Sequence, residues 1–132
     1  MTFRHRIAGG TAEVAAAQAA LAGWLAGAGA SPRAVTRAEI VLEELALNAQ
    51  RHGGTEEVLV VARIAGGVCT LVLEDAGLAF DPTAAAASPP APPAEAQVGG
   101  HGLVLVRRNA AGLRYSRTAA GRNRLEVDLP LS

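Results

Sequence analysis

Two apolar runs, residues 58–64 and 68–73, are separated only by Ala65-Gly66-Gly67, and they constrain this chain more than any other feature. Each run has the length of a strand, and the glycines at the join admit the positive φ of a tight turn, so the pair reads as a β-hairpin. A candidate cover for one face stands just upstream. Val35, Ala38, Leu42, Leu45 and Ala49 recur at spacings of three and four residues, which makes one continuous helical stripe facing a core. Ser31 followed by Pro32 is a start signal for that helix, an N-cap residue before proline at the first helical position. Gly53 and Gly54 stop it.

The flanking segments complete a simple architecture. Residues 2–7 alternate, with Phe3, His5 and Ile7 on one side and Arg4 and Arg6 on the other, as in a short edge strand. Thr11 is placed to cap a helix reaching about Ala28, with Val14, Leu21, Trp24, Leu25 and Ala28 on its apolar face. Residues 81–98 change sharply to Ala, Pro and Ser, a composition no core element carries, and a loop of this length is usually a lid or disordered. A short helix over about 103–110 and strands at 113–118 and 124–129 close the chain. In the last strand Leu125, Val127 and Leu129 alternate with Arg124, Glu126 and Asp128, giving one buried and one wet face. The order β-α-α-β-β-loop-α-β-β predicts an α+β fold. It is a two-layer sandwich with helices on one face of a mixed, mainly antiparallel sheet, as a single domain over 1–132.

Composition excludes several chemistries. The 12 basic and 12 acidic residues cancel, so nothing in the charge favours nucleic acid. All 12 basic residues are arginine. Without lysine there is no Walker-A phosphate clamp, no strand lysine of eukaryotic-type kinases and no Schiff base. The lone Cys69 can form neither an internal disulfide nor a cysteine zinc cluster, and its apolar surroundings suit a buried thiol. His5, His52 and His101 lack metal-ligand spacing, and no serine is flanked by glycines as in a hydrolase elbow. No apolar run approaches bilayer length and no apolar stretch follows the basic N-terminus directly. A cytoplasmic protein without a membrane partner is expected.

Three short segments carry groups suited to chemistry. Glu44 and Asn48 are four apart and share a helix face, where two hard oxygens suit magnesium, although an ordinary solvated polar pair would look the same. Asp75-Ala76-Gly77 follows an apolar strand. Its carboxylate can accept a hydrogen bond from an exocyclic amine such as that of adenine, or merely cap a turn. Gly99-Gly100-His101-Gly102 opens a helix and offers backbone amides to phosphate, or forms a plain glycine turn.

In order, however, the three form a recognisable series. Glu44-Leu45-Ala46-Leu47-Asn48-Ala49-Gln50-Arg51-His52-Gly53 resembles the N box of the Bergerat-fold ATPases, the superfamily of gyrase, histidine kinases and mismatch-repair ATPases. Asp75-Ala76-Gly77-Leu78-Ala79-Phe80-Asp81-Pro82 is similar to its G1 box, and Gly99-Gly100-His101-Gly102-Leu103-Val104-Leu105-Val106 to its G2 box. The Asp-x-Gly-x-x-Phe-Asp-Pro and Asn-Ala-x-x-His-Gly forms resemble the anti-sigma-factor serine kinases in particular.

That resemblance implies ATP and Mg2+ as cofactors. Asn48 would hold magnesium, Glu44 would be the catalytic acid–base group, and Asp75 would recognise the adenine amine with Gly77 beside the ring. Gly99, Gly100 and Gly102 would line the triphosphate, and residues 82–98 would be the ATP lid. Arg51, His52, Phe80, His101 and Leu103 fall within the same boxes as nucleotide-binding positions. The implied function is phosphorylation of an anti-sigma-factor antagonist protein in a partner-switching pathway that regulates transcription, with a sigma factor as a second partner and a homodimer left open. The alternative is a non-catalytic ATP-binding module that controls a protein partner. The chain departs from the pattern in its Ala/Pro-rich lid and in His101, where a small or apolar residue is common. It also has Arg124 near where relatives often offer a threonine to the adenine pocket.

Overall fold

A computed structural model describes residues 2–55, 57–83 and 101–132, with the backbone alone at 101–103. The elements are β1 (Thr2–Ala8), α1 (Thr11–Gly27), α2 (Pro32–Gly53), β2 (Glu57–Ala65), β3 (Val68–Asp75), α3 (His101–Asn109), β4 (Gly112–Arg117) and β5 (Asn123–Pro130). The sheet order is β1-β2-β3-β5-β4, so β1 is the expected edge strand. All four pairings are antiparallel, and the sheet has no parallel pair among the described strands. After β3 the chain passes through α3 and lays β4 at the far edge, and β5 returns between them.

Local chemistry explains the joins. Gly66 (φ 57°) and Gly67 (φ 75°) both occupy the left-handed region, closing a two-residue hairpin between the paired Ala65 and Val68. The Ser31 hydroxyl accepts from the Ala34 amide at 3.0 Å, with Pro32 in the first turn. Gly54 terminates α2 in the left-handed conformation. The expected cap on α1 is corrected. Gly10 is its N-cap, the helix already includes Thr11, and the Gly10 carbonyl accepts from the Glu13 and Val14 amides without any side-chain cap.

The inner face of the sheet and the helices form one core. Ile7, Val58, Val60, Leu71 and Val127 meet Val14, Leu21, Leu25, Leu42 and Leu45, all essentially inaccessible. The α2 stripe is wider than its spacing suggested, because Val41 and Ala46 are fully buried as well. Cys69 lies in this core, and burial pushes its thiol up to about 11, which leaves it inert. The third helix packs on α2 and contributes Val106 to the core. No helix among the described residues is long and apolar enough to cross a membrane. The last residue of β3 pairs with the first of β5, Asp75 with Asn123, and these strand ends come together beside the C-terminal half of α2.

Candidate functional site

Helix α2 supplies one wall of a narrow cleft through Leu45, Asn48 and Ala49. The strand ends supply Asp75, Asn123 and Leu125, and the segment after β3 adds Phe80 and Pro82. Its free volume is about 10 Å³, room for roughly one water. A larger hollow of about 320 Å³ between Arg4, Arg6, Glu57 and Arg122 holds none of the residues expected to bind a ligand, so chemistry rather than size selects the cleft.

The polar lining is sparse and buried. Asp75 is 6% exposed, and its Oδ1 accepts from the Gly77 amide at 2.9 Å and from Asn123 Nδ2 at 3.0 Å. The turn-capping role that Asp-x-Gly often plays is therefore real, and the same carboxylate still lines the cleft. Among the described residues no donor reaches its Oδ2. Asn48 is 5% exposed, and none of the described residues hydrogen-bonds its carboxamide. No sealed side-chain nitrogen or oxygen lacks a partner in the described structure, so the amide of Asn48 keeps its contact with the cleft. Phe80 stacks on the ring of His52 with centroids 4.6 Å apart and planes 19° from parallel.

The expected site residues thus divide. The structure brings Asn48, Asp75 and Phe80 to one cleft, with His52 attached through the Phe80 stack and Gly77 through its hydrogen bond to Asp75. Glu44 lies one turn before Asn48 on α2, half-buried, and is not part of the cleft wall. Arg51 is exposed in the last turn of α2. His101, Gly102 and Leu103 form the first turn of α3, while Gly99, Gly100 and the lid residues 84–98 lie outside the described residues.

Asn123 escaped the sequence reading, and it corrects the placement of Arg124. Strand β5 begins one residue earlier than expected, with Asn123 facing the cleft, and Arg124 points to the opposite, wet face that its alternation with Leu125 predicts rather than to the pocket. There Arg124 meets Glu126 at 3.2 Å and Glu74 at 3.9 Å. The period-2 pattern of Leu125, Val127 and Leu129 extended back by one step is the signal that would have found Asn123.

No group of three or more His, Cys, Asp or Glu side chains suited to a metal occurs among the described residues. A magnesium ion would then rely on an amide oxygen and on oxygens brought by a nucleotide, which is the manner in which this ion commonly binds. The donor chemistry at Asn48 fits that requirement.

The sequence matches the histidine kinase-like ATPase domain over residues 8–128. The chain belongs to this family, in which ATP binding is the shared property. No curated protein matches it. Among solved structures, the RsbU and RsbW domains of Rv1364c from Mycobacterium tuberculosis align at a TM-score of 0.71 and 18% identity, over 99% of this chain and 32% of that one. The SiaB–SiaC complex from Pseudomonas aeruginosa aligns at 0.68 and 17% identity, over 96% of this chain and 88% of that one. At such identities the likeness is one of fold, and the chain spans about a third of the length of the first.

Proposed function

We propose that this chain is a magnesium-ATP-dependent serine protein kinase of the anti-sigma-factor type, acting on a small antagonist protein that in turn decides whether a sigma factor is held. The observation that carries the reading is Asn48. It is a nearly buried carboxamide with no protein partner among the described residues, and it lies across a narrow cleft from a carboxylate with one open oxygen. Such a pair suits a ligand with an amine at one end and metal-bound phosphates at the other. The order of the three boxes supports the kinase branch. So does the fold shared with an RsbW-containing structure and with SiaB, a protein solved in complex with a second protein, SiaC.

In this reading Asp75 Oδ2 accepts the 6-amino group of adenine, and Leu45, Ala49 and Leu125 contact the base. Asn48 would hold magnesium through Oδ1, and neutralisation of phosphate charge is what that ion supplies when bound. Glu44 accepts the proton of the attacking serine hydroxyl as its oxygen bonds to the γ-phosphorus. The bond to the bridging oxygen breaks and ADP carries away the electron pair. Glu44 stands one turn from Asn48 toward the N-terminus of α2, so base and metal ligand share a helix face.

Two measurements test the proposal. Calorimetric titration should show magnesium-dependent ATP binding with a clear preference over GTP. Glu44→Gln should retain that binding and slow phosphotransfer to the antagonist by about a thousandfold. Binding by the wild type without phosphotransfer to any candidate antagonist would move the assignment to a non-catalytic regulatory module.

A further inference from the structure

Asn123 is 4% exposed and makes more side-chain hydrogen bonds than any other described residue lining the cleft. Its Nδ2 donates to Asp75 Oδ1 at 3.0 Å and to the Leu78 carbonyl at 2.8 Å. Its Oδ1 accepts from the Tyr115 hydroxyl at 2.6 Å, from Arg117 Nη1 at 3.1 Å and from the Phe80 amide at 3.3 Å. The orientation of the amide is forced by its partners. A guanidinium and a backbone N–H can only donate, and a carbonyl can only accept. Arg117 Nη1 also donates to the Gly77 carbonyl at 3.0 Å, so the strand ends hold the 75–80 segment at Asp75, Gly77, Leu78 and Phe80.

Asn123 has no hydrogen-bonding capacity left for a ligand, so its influence runs through Asp75. By occupying Asp75 Oδ1 it leaves Oδ2 as the open acceptor, and by fixing Leu78 and Phe80 it sets the path of the wall against which a base would lie. We propose that Asn123 is the positioning residue of the base site and sets its selectivity for a 6-amino over a 6-oxo purine. The proposal rests on the reading of the cleft as an ATP site. A hydroxyl side chain has a single donor and could not serve both Asp75 and Leu78. An aspartate would present an acceptor to two acceptors. Asparagine meets both demands.

The test is Asn123→Asp, which keeps the shape and removes the donor. Its new carboxylate oxygen would face Asp75 Oδ1 and the Leu78 carbonyl, so the two acids must share a proton for Asp75 to stay in place. Among the described residues, the charged or titratable groups that face them are Tyr115 and Arg117 from β4, with His52 across Phe80. All are common to both proteins, so the difference between their pH profiles isolates the new pair. ATP and GTP affinities are measured by calorimetry at pH 5.5 and pH 8 on the full chain, with Asp75→Ala as control.

The expected result is wild-type ATP affinity constant within about threefold, and an Asn123→Asp affinity about tenfold weaker at pH 8 than at pH 5.5, with a reduced ATP-over-GTP preference. Wild-type affinity and preference in Asn123→Asp at both pH values would overturn the role of Asn123 while leaving the ATP site standing. A wild type that binds neither nucleotide, or an Asp75→Ala variant that binds ATP normally, would overturn both. Should Asn123→Asp fail to fold, Tyr115→Phe decides. Loss of one hydroxyl donor should weaken ATP binding about threefold and narrow the ATP-over-GTP ratio, and an unchanged ratio would refute the proposal.

Discussion

Two asparagines face each other across the cleft at nearly equal burial, Asn123 at 4% and Asn48 at 5% exposure, and their bonding is opposite. Asn123 has both ends of its amide engaged by protein, tying the end of β3 and the segment after it to the β4–β5 hairpin. None of the described residues hydrogen-bonds the carboxamide of Asn48, although the strand ends it faces are crowded with polar groups. A satisfied buried amide specifies a conformation, whereas one left open toward a cleft is available to a ligand. One wall is therefore organised before anything binds. The other carries the group that a ligand would complete, and the two walls should respond differently to the same substitution.

The largest effect expected is on stability at the organised wall. Asn123→Ala leaves donors on Tyr115, Arg117 and Phe80 and acceptors on Asp75 and Leu78 without their partner, some open to replacement by water. Unfolding in urea should show a loss of about 3 kcal/mol, a large share of the total stability of a small domain. A loss below about 1 kcal/mol would mean that water replaces the amide freely, and the contrast between the walls would collapse. The mirror experiment, Asn48→Ala, should leave stability within about 0.5 kcal/mol because no bond among the described residues is removed. Its cost should appear in binding, at about 2 kcal/mol or thirtyfold in magnesium-ATP affinity, with little change when magnesium is withheld. Unchanged affinity in the presence of magnesium would remove Asn48 from the metal role.

The difference between the walls also explains what could be read from the sequence. Asn48 was legible because α2 has a strong apolar stripe, which fixes the face on which residues 44 and 48 sit, and because its neighbours resemble a known box. Asp75 was legible because an apolar strand ends there in Asp-x-Gly. The hairpin, the strand order at the β1 edge and the Ser31 cap followed from local patterns of the same kind. Asn123 was hidden because strand ends fray in sequence as they do in space. The alternation of β5 is clear only from Leu125 onward, and starting the strand at Arg124 left Asn123, one step further back on the buried face, outside it. Tyr115 and Arg117 were hidden for a different reason. Their role depends on β5 returning between β3 and β4, and that long-range order has no local signature.

The smallest effect belongs to the opposite face of the same hairpin, and it serves as the control for the comparison. Arg114 Nη1 donates to Asp128 Oδ2 at 2.7 Å and Nη2 to Asp128 Oδ1 at 3.1 Å, a two-pronged pair on the outer face of the sheet. The hydrogen bond from Arg114 holds the Asp128 carboxyl below its ordinary value of 3.8. A carboxyl lowered in the folded state adds stability that is complete above its unfolded value and disappears as pH falls through its folded value. Arg114→Met should therefore match the wild type in acid, below the folded value of Asp128, and melt slightly lower above about pH 5. Because the pair is solvent-exposed, the difference should shrink in high salt. Nucleotide binding by this variant should equal that of the wild type. If it weakens, the organisation of the cleft depends on the whole hairpin rather than on its inner face, and the role assigned to Asn123 would have to be shared with the outer strand surface.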